Sequence, residues 1–120
     1  MSAVIIDSGG ANIASLQAAL GRLGAKSVVT TDHAVIRSAE RVLLPGVGSA
    51  HDAMSRLRIA GLAELIPTLK QPLLGICLGM QLLFERSEEG PANCLGVIPG
   101  AIGKLSPSRA ARCRTWAGTR

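Results

Sequence analysis

Short apolar segments alternate with stretches of helical period from the first residues onward, which restricts the chain to a parallel sheet with crossover helices. Ala3-Val4-Ile5-Ile6 reads as a buried strand ending at Asp7. A Gly9-Gly10 turn follows, then a helix from about Asn12 that sets Ile13, Leu16, Leu20 and Leu23 on one face and closes at Gly24. Val28-Val29 is a second strand, Asp32 caps a short helix, and Arg41-Val42-Leu43-Leu44 is a third strand running into Pro45-Gly46-Val47-Gly48. Ser49 caps a helix toward Arg58, another helix spans residues 61–69, and Pro72-Leu73-Leu74-Gly75-Ile76 forms a fourth buried strand. Cys77 stands where that strand becomes a helix running to Phe84. From Ser106 neither period continues, so the expected organisation is one α/β domain over residues 1–105 and an irregular tail over 106–120.

The core must be aliphatic, because a chain that is 48% hydrophobic holds one Phe, one Trp and no Tyr. The net charge of +5 invites a nucleic-acid reading, but all eight acidic residues precede Lys104 and are matched there by as many basic ones. The excess is Lys104, Arg109, Arg112, Arg114 and Arg120, in a tail without interleaved aromatics, so no nucleic-acid partner is expected. The longest mostly apolar run, Leu73 to Phe84, is shorter than the ~20 residues a bilayer needs. Cys77, Cys94 and Cys113 lack metal-ligand spacing, and their odd number without a secretory leader argues against a disulfide framework. A cytoplasmic protein is expected, off the membrane and without metal or cofactor.

The chemistry concentrates at Gly75-Ile76-Cys77-Leu78-Gly79, which has the form of a nucleophile elbow with Cys in place of Ser. Such a turn holds the sulfur at the carboxyl edge of the sheet, where open α/β folds bind ligands. A thiolate attacking a carboxamide needs donors for the developing oxyanion, and the backbone N–H of Leu78, next after the sulfur, is placed for one. Pro45-Gly46-Val47-Gly48 follows another strand and has the glycines that let a peptide turn inward, so Val47 or Gly48 is the candidate for the second.

Gly75-Ile76-Cys77-Leu78-Gly79-Met80-Gln81-Leu82-Leu83-Phe84, with Ser87-Glu88-Glu89-Gly90 after it, resembles the nucleophile segment of class I glutamine amidotransferases, specifically the glutaminase-subunit family of imidazole glycerol phosphate synthase. Leu44-Pro45-Gly46-Val47-Gly48 is similar to that family's oxyanion loop, and Leu95-Gly96-Val97-Ile98-Pro99-Gly100 to its next landmark. The resemblance runs from residue 3 to about residue 105. It implies a flavodoxin-like sheet whose C-terminal part is missing. It also implies hydrolysis of glutamine at Cys77, with ammonia passed to a cyclase subunit in histidine biosynthesis. By position it implies that Gln81 and Glu89 hold the amino-acid end of glutamine; from the residues alone, Gln81 reads equally as an ordinary helix residue and Glu89 as part of a solvated pair. The first loop, Asp7-Ser8-Gly9-Gly10-Ala11-Asn12, departs from the family's Asp-Tyr-Gly-x-Gly-Asn pattern by losing the tyrosine and one glycine.

A cysteine nucleophile of this class needs a histidine base oriented by a carboxylate. Only His33 and His51 are present, and neither matches the His-Pro-Glu segment that the family carries farther on. Deleting one nucleotide from codons for Arg-Val-Pro-His-Met-Gly-Trp-Asn-Gln, a stretch resembling the family at this point, yields Arg-Cys-Arg-Thr-Trp-Ala-Gly-Thr. That is Arg112 to Thr119, so a frameshift is expected to account for the basic tail, Cys113 and Trp116. The leading expectation is the glutaminase subunit. The alternatives are an inactive remnant lacking the His and Glu of the triad, and a stand-alone cysteine hydrolase. Exposed apolar surface is expected to make the chain aggregation-prone.

Overall fold

The structure is a computed structural model and describes residues 2–9, 12–88 and 92–103. Glu89, and the tail with Cys113 and Trp116, lie outside the described residues. Four strands, β1 (Ser2–Ile6), β2 (Lys26–Thr30), β3 (Val42–Gly46) and β4 (Leu73–Cys77), form a parallel sheet in the order β2-β1-β3-β4. Helices α1 (Ile13–Arg22), α2 (His33–Ser38), α3 (Ala50–Ile59), α4 (Leu62–Leu65) and α5 (Leu78–Leu82) connect and follow them. Short strands β5 (Arg86–Ser87), β6 (Ala92–Asn93) and β7 (Ala101–Ile102) form a second small sheet. This α/β order is the one expected of a flavodoxin-like fold. Among the described residues no helix is long and apolar enough to cross a membrane.

The helix ends follow local chemistry. Asn12, Asp32 and Ser49 each accept a backbone N–H from the first turn of α1, α2 and α3. Gly24, at φ +77°, ends α1 in a Schellman turn: its N–H donates to Gly21 O and the Ala25 N–H to Leu20 O. The expected helix over residues 61–69 is broken instead. Four residues of α-helix give way to a 3₁₀ turn, Ile66–Thr68, because Pro67 has no N–H to continue the ladder. The expected run to Phe84 ends at Leu82, where the segment after β6 takes over the terminal carbonyls. Leu95 N–H donates to Leu82 O, Ile98 N–H to Leu83 O and Gly96 N–H to Phe84 O. The Leu95-to-Gly100 landmark thus serves as the C-terminal cap of the helix behind Cys77.

The two sheet faces are unequally covered. Val4, Ile6, Val42 and Leu44 point toward α2 to α5 and pack with Ile36, Met54, Leu57, Leu62, Ile66 and Leu82. All but Ile5 of the largest fully buried side chains belong to this side. Each is worth roughly 1.5–3 kcal/mol relative to exposure. The opposite face, with Ala3, Ile5 and Leu43 buried, is covered among the described residues by α1. No residue of α1 is itself buried, and Leu23, expected on its inward face, is 73% exposed. Leu74, on the same side of the edge strand β4, is 58% exposed. An apolar hollow lined by Leu20, Leu23, Leu43 and Leu74 lies at the amino ends of the strands, away from Cys77.

Candidate active site

Cys77 is the one described non-glycine residue with positive φ, at +55° with ψ −124°. An L-residue held there costs about 1–3 kcal/mol and persists only where its surroundings impose it. The surroundings are three glycines. A Cβ on Gly79 would sit 1.8 Å from Leu44 O, one on Gly75 would sit 2.6 Å from Met80 Cα, and one on Gly46 would sit 2.9 Å from Gly79 N. The start of α5 therefore rests directly on the backbones of β3 and β4, and the chain can enter the helix from β4 only through a sharp reversal at Cys77. The left-handed residue is Cys77 itself, and the glycines provide contact distance.

This reversal leaves Cys77 exposed at the carboxyl edge of the sheet. It lines a shallow cavity of about 150 Å³ with Asn12 and Leu16 from the start of α1, Pro45, Gly46 and Val47 from the end of β3, and Ile76. Small-molecule sites usually enclose about 300–1,000 Å³, so this cavity is smaller than such a site. Among the expected oxyanion donors, Val47 shares the cavity with Cys77, whereas Gly48, at φ +89°, stands one residue beyond the wall. Leu78 is buried, and its N–H is the first of α5, where no intrahelical acceptor exists. Gln81 is half-buried on α5 but outside the cavity wall.

The histidines are elsewhere. His33 Nε2 meets Ala60 O at 2.8 Å and tethers α2 to the end of α3. It is half-buried there. His51 is exposed in the first turn of α3. Neither lines the cavity.

Two ties around the cavity had no sequence signal. Ser8, 2% exposed, donates its hydroxyl to Pro45 O at 2.7 Å, and Arg56 Nε donates to Ser8 O at 2.7 Å. Asn12 could have been suspected from the Asp7…Asn12 loop pattern, but Ser8 and Arg56 could not. Burial raises the Cys94 thiol above its ordinary range, with Arg58 pulling weakly the other way.

A strained cysteine on a glycine-packed elbow at the carboxyl edge of a 2-1-3-4 sheet defines a class of protein, and comparison with known families bears this out. Glutamine amidotransferase class-I matches residues 4–111, and the chain belongs to that family. It is 55% identical over 104 residues to the imidazole glycerol phosphate synthase subunit HisH of Xanthomonas euvesicatoria pv. vesicatoria, a match covering 87% of this chain and 52% of the relative. It is 52% identical over 108 residues to the subunit of the same name from Xylella fastidiosa strain Temecula1, covering 90% and 54%. The chain thus spans about half the length of the curated relatives it matches. A crystal structure of a glutamine amidotransferase superposes with a TM-score of 0.71 at 19% identity, over 89% of this chain and 58% of that one, and shares the fold.

Proposed function

We propose that this chain carries the nucleophile of the glutaminase subunit of imidazole glycerol phosphate synthase, a cytoplasmic enzyme that hydrolyses glutamine and supplies ammonia to a cyclase subunit. The observation that carries the proposal is the imposed positive φ of Cys77 beside Val47 at one cavity. Together with the HisH relatives, it supports this member of the family over a stand-alone hydrolase.

In this reading the Cys77 thiolate adds to the γ-carboxamide carbon of glutamine, and the negative charge moves to the carboxamide oxygen. The N–H of Leu78 and that of Val47 or Gly48 receive it. Collapse expels ammonia as the proton taken from the thiol is returned to the departing nitrogen, and leaves a γ-glutamyl thioester, which water hydrolyses to glutamate and the free thiol. Gln81 and Glu89 hold the amino-acid end of the substrate. In this reading neither His33 nor His51, both away from the cavity, serves as the general base. That same observation favours a second reading, in which these residues bind the cyclase subunit without turnover.

The test is labelling by a chloroketone analogue of glutamine, read by peptide mass spectrometry with and without the cyclase subunit. Labelling of Cys77 in preference to Cys94 and Cys113, suppressed by excess glutamine, is the expected result. Labelling no more selective than that by iodoacetamide refutes the site. Glutamate release in the presence of the cyclase subunit separates the first reading from the second.

A further inference from the structure

The β1–β3 ladder pairs Val4 with Val42 and Ile5 with Leu43, and goes no further. Beyond it, β3 continues for three residues beside β4 as far as Gly46, opposite Cys77. Pro45 in this stretch can donate no hydrogen bond, and on the side toward β1 its carbonyl has no ladder partner. The Ser8 hydroxyl supplies that partner at 2.7 Å, in a buried contact bridging 37 positions of sequence. Ser8 is fixed in turn by the 2.7 Å bond from Arg56 Nε on α3 to its carbonyl, and Gly9 N–H folds back onto Asp7 Oδ1 at 3.1 Å. The turn after β1 is thereby clamped between α3 and the end of β3.

The consequence is geometric. In a trans peptide the C=O of Pro45 and the N–H of Gly46 point in opposite directions. The carbonyl held toward Ser8 and the pairing of Gly46 with β4 on the other side together fix the rotation of the Pro45–Gly46 peptide, and with it the path of Val47 beside Cys77. Past Gly46, which pairs with Cys77, the loop is loosely held among the described residues: Val47 is 45% exposed, and a Cβ on Gly48 would meet nothing within 4 Å. We infer that Ser8, braced by Arg56, is a positioning residue that holds the Pro45-to-Gly48 loop in the orientation needed to donate to an oxyanion formed at Cys77. This rests on the reading above that the loop provides such a donor.

Two reactions of the same sulfur test it. Addition of the thiolate to 4-nitrophenyl acetate forms a tetrahedral oxyanion, which collapses to an acetyl thioester and 4-nitrophenolate. Alkylation by iodoacetamide forms the S–C bond as iodide leaves, without an oxyanion. The ratio of the two rates at Cys77, resolved by peptide mass spectrometry, cancels differences in thiolate fraction and access. Loss of a whole oxyanion donor costs about 10²–10³ in rate. A misaimed donor costs less, so Ser8→Ala is expected to lower the ratio about tenfold, and Ser8→Thr, which keeps the hydroxyl, to recover at least part of it. Arg56→Gln, at an exposed side chain, leaves the fold intact and lowers the ratio in the same direction by a smaller factor. An unchanged ratio in both Ser8→Ala and Arg56→Gln, or equal losses in both reactions, overturns the inference. If the ratio falls but the chloroketone fails to select Cys77, the positioning role stands and the glutaminase reading fails. Selective labelling with an unchanged ratio gives the reverse.

Discussion

Replacing Gly79 with alanine puts a methyl group where α5 meets β3. The added carbon would lie 1.8 Å from Leu44 O and 2.7 Å from Leu44 C, about 1.6 Å short of the 3.4 Å at which ordinary contact begins. Both neighbours are main-chain atoms of a central strand and cannot swing aside as a side chain would. The whole start of α5 must lift, which loosens the packing of Leu78 and Leu82 against the core. Overpacking costs about 1–3 kcal/mol where side chains can adjust. With backbone on both sides the loss should reach roughly 3 kcal/mol or more, a large part of the ~5–15 kcal/mol that holds a domain folded. At about 4 °C per kcal/mol for a chain of this size, the midpoint of thermal unfolding falls by at least ~10 °C. Gly21→Ala is the matched control, because its Cβ meets nothing within 4 Å in the last turn of α1. There alanine should stabilise by about 0.5–1 kcal/mol. Circular dichroism melts of the two variants decide the matter: a Gly79→Ala midpoint within about 2 °C of the parent refutes the packing account of the elbow.

Cys77→Gly releases the strain at φ +55° but adds chain entropy to the unfolded state, so it should be more stable than Cys77→Ala by about 1 kcal/mol in urea titrations. His33→Ala removes the bond to Ala60 O and should cost about 1 kcal/mol, while the iodoacetamide rate at Cys77 stays unchanged; a slowed rate would mean that His33 acts on the sulfur. The raised Cys94 thiol gives a pH dependence of defined sign. Its folded form holds a proton more tightly than its unfolded form, so its contribution is complete below the ordinary thiol range near 8.5 and is lost as pH rises through the folded value. Urea midpoints between pH 7 and pH 10 should fall for the parent and fall less for Cys94→Ala.

Much of the fold could be read from local signals, because those signals act within a few residues. The four apolar strands, the caps at Asp32 and Ser49 and the stop at Gly24 stand within a residue or two of their expected places. The departures trace to Pro67, which breaks the helix at residues 66–68, and to the Leu95–Ile98 segment, which ends α5 by hydrogen bonds arriving from farther along the chain. The small strands β5 to β7 gave no period to detect, being two residues each.

The site divides in the same way. Gly75, Cys77 and Gly79 mark the elbow by their spacing, since only glycine allows α5 to touch β3 and β4 so closely. Which residue takes the positive φ, that Val47 rather than Gly48 shares the cavity with Cys77, and that Ser8 and Arg56 hold the facing loop were decided by tertiary structure. A hydrogen bond between a buried hydroxyl and a carbonyl 37 residues away leaves no periodic trace in the chain. Its partners are neighbours only because the sheet order brings the ends of β1 and β3 together.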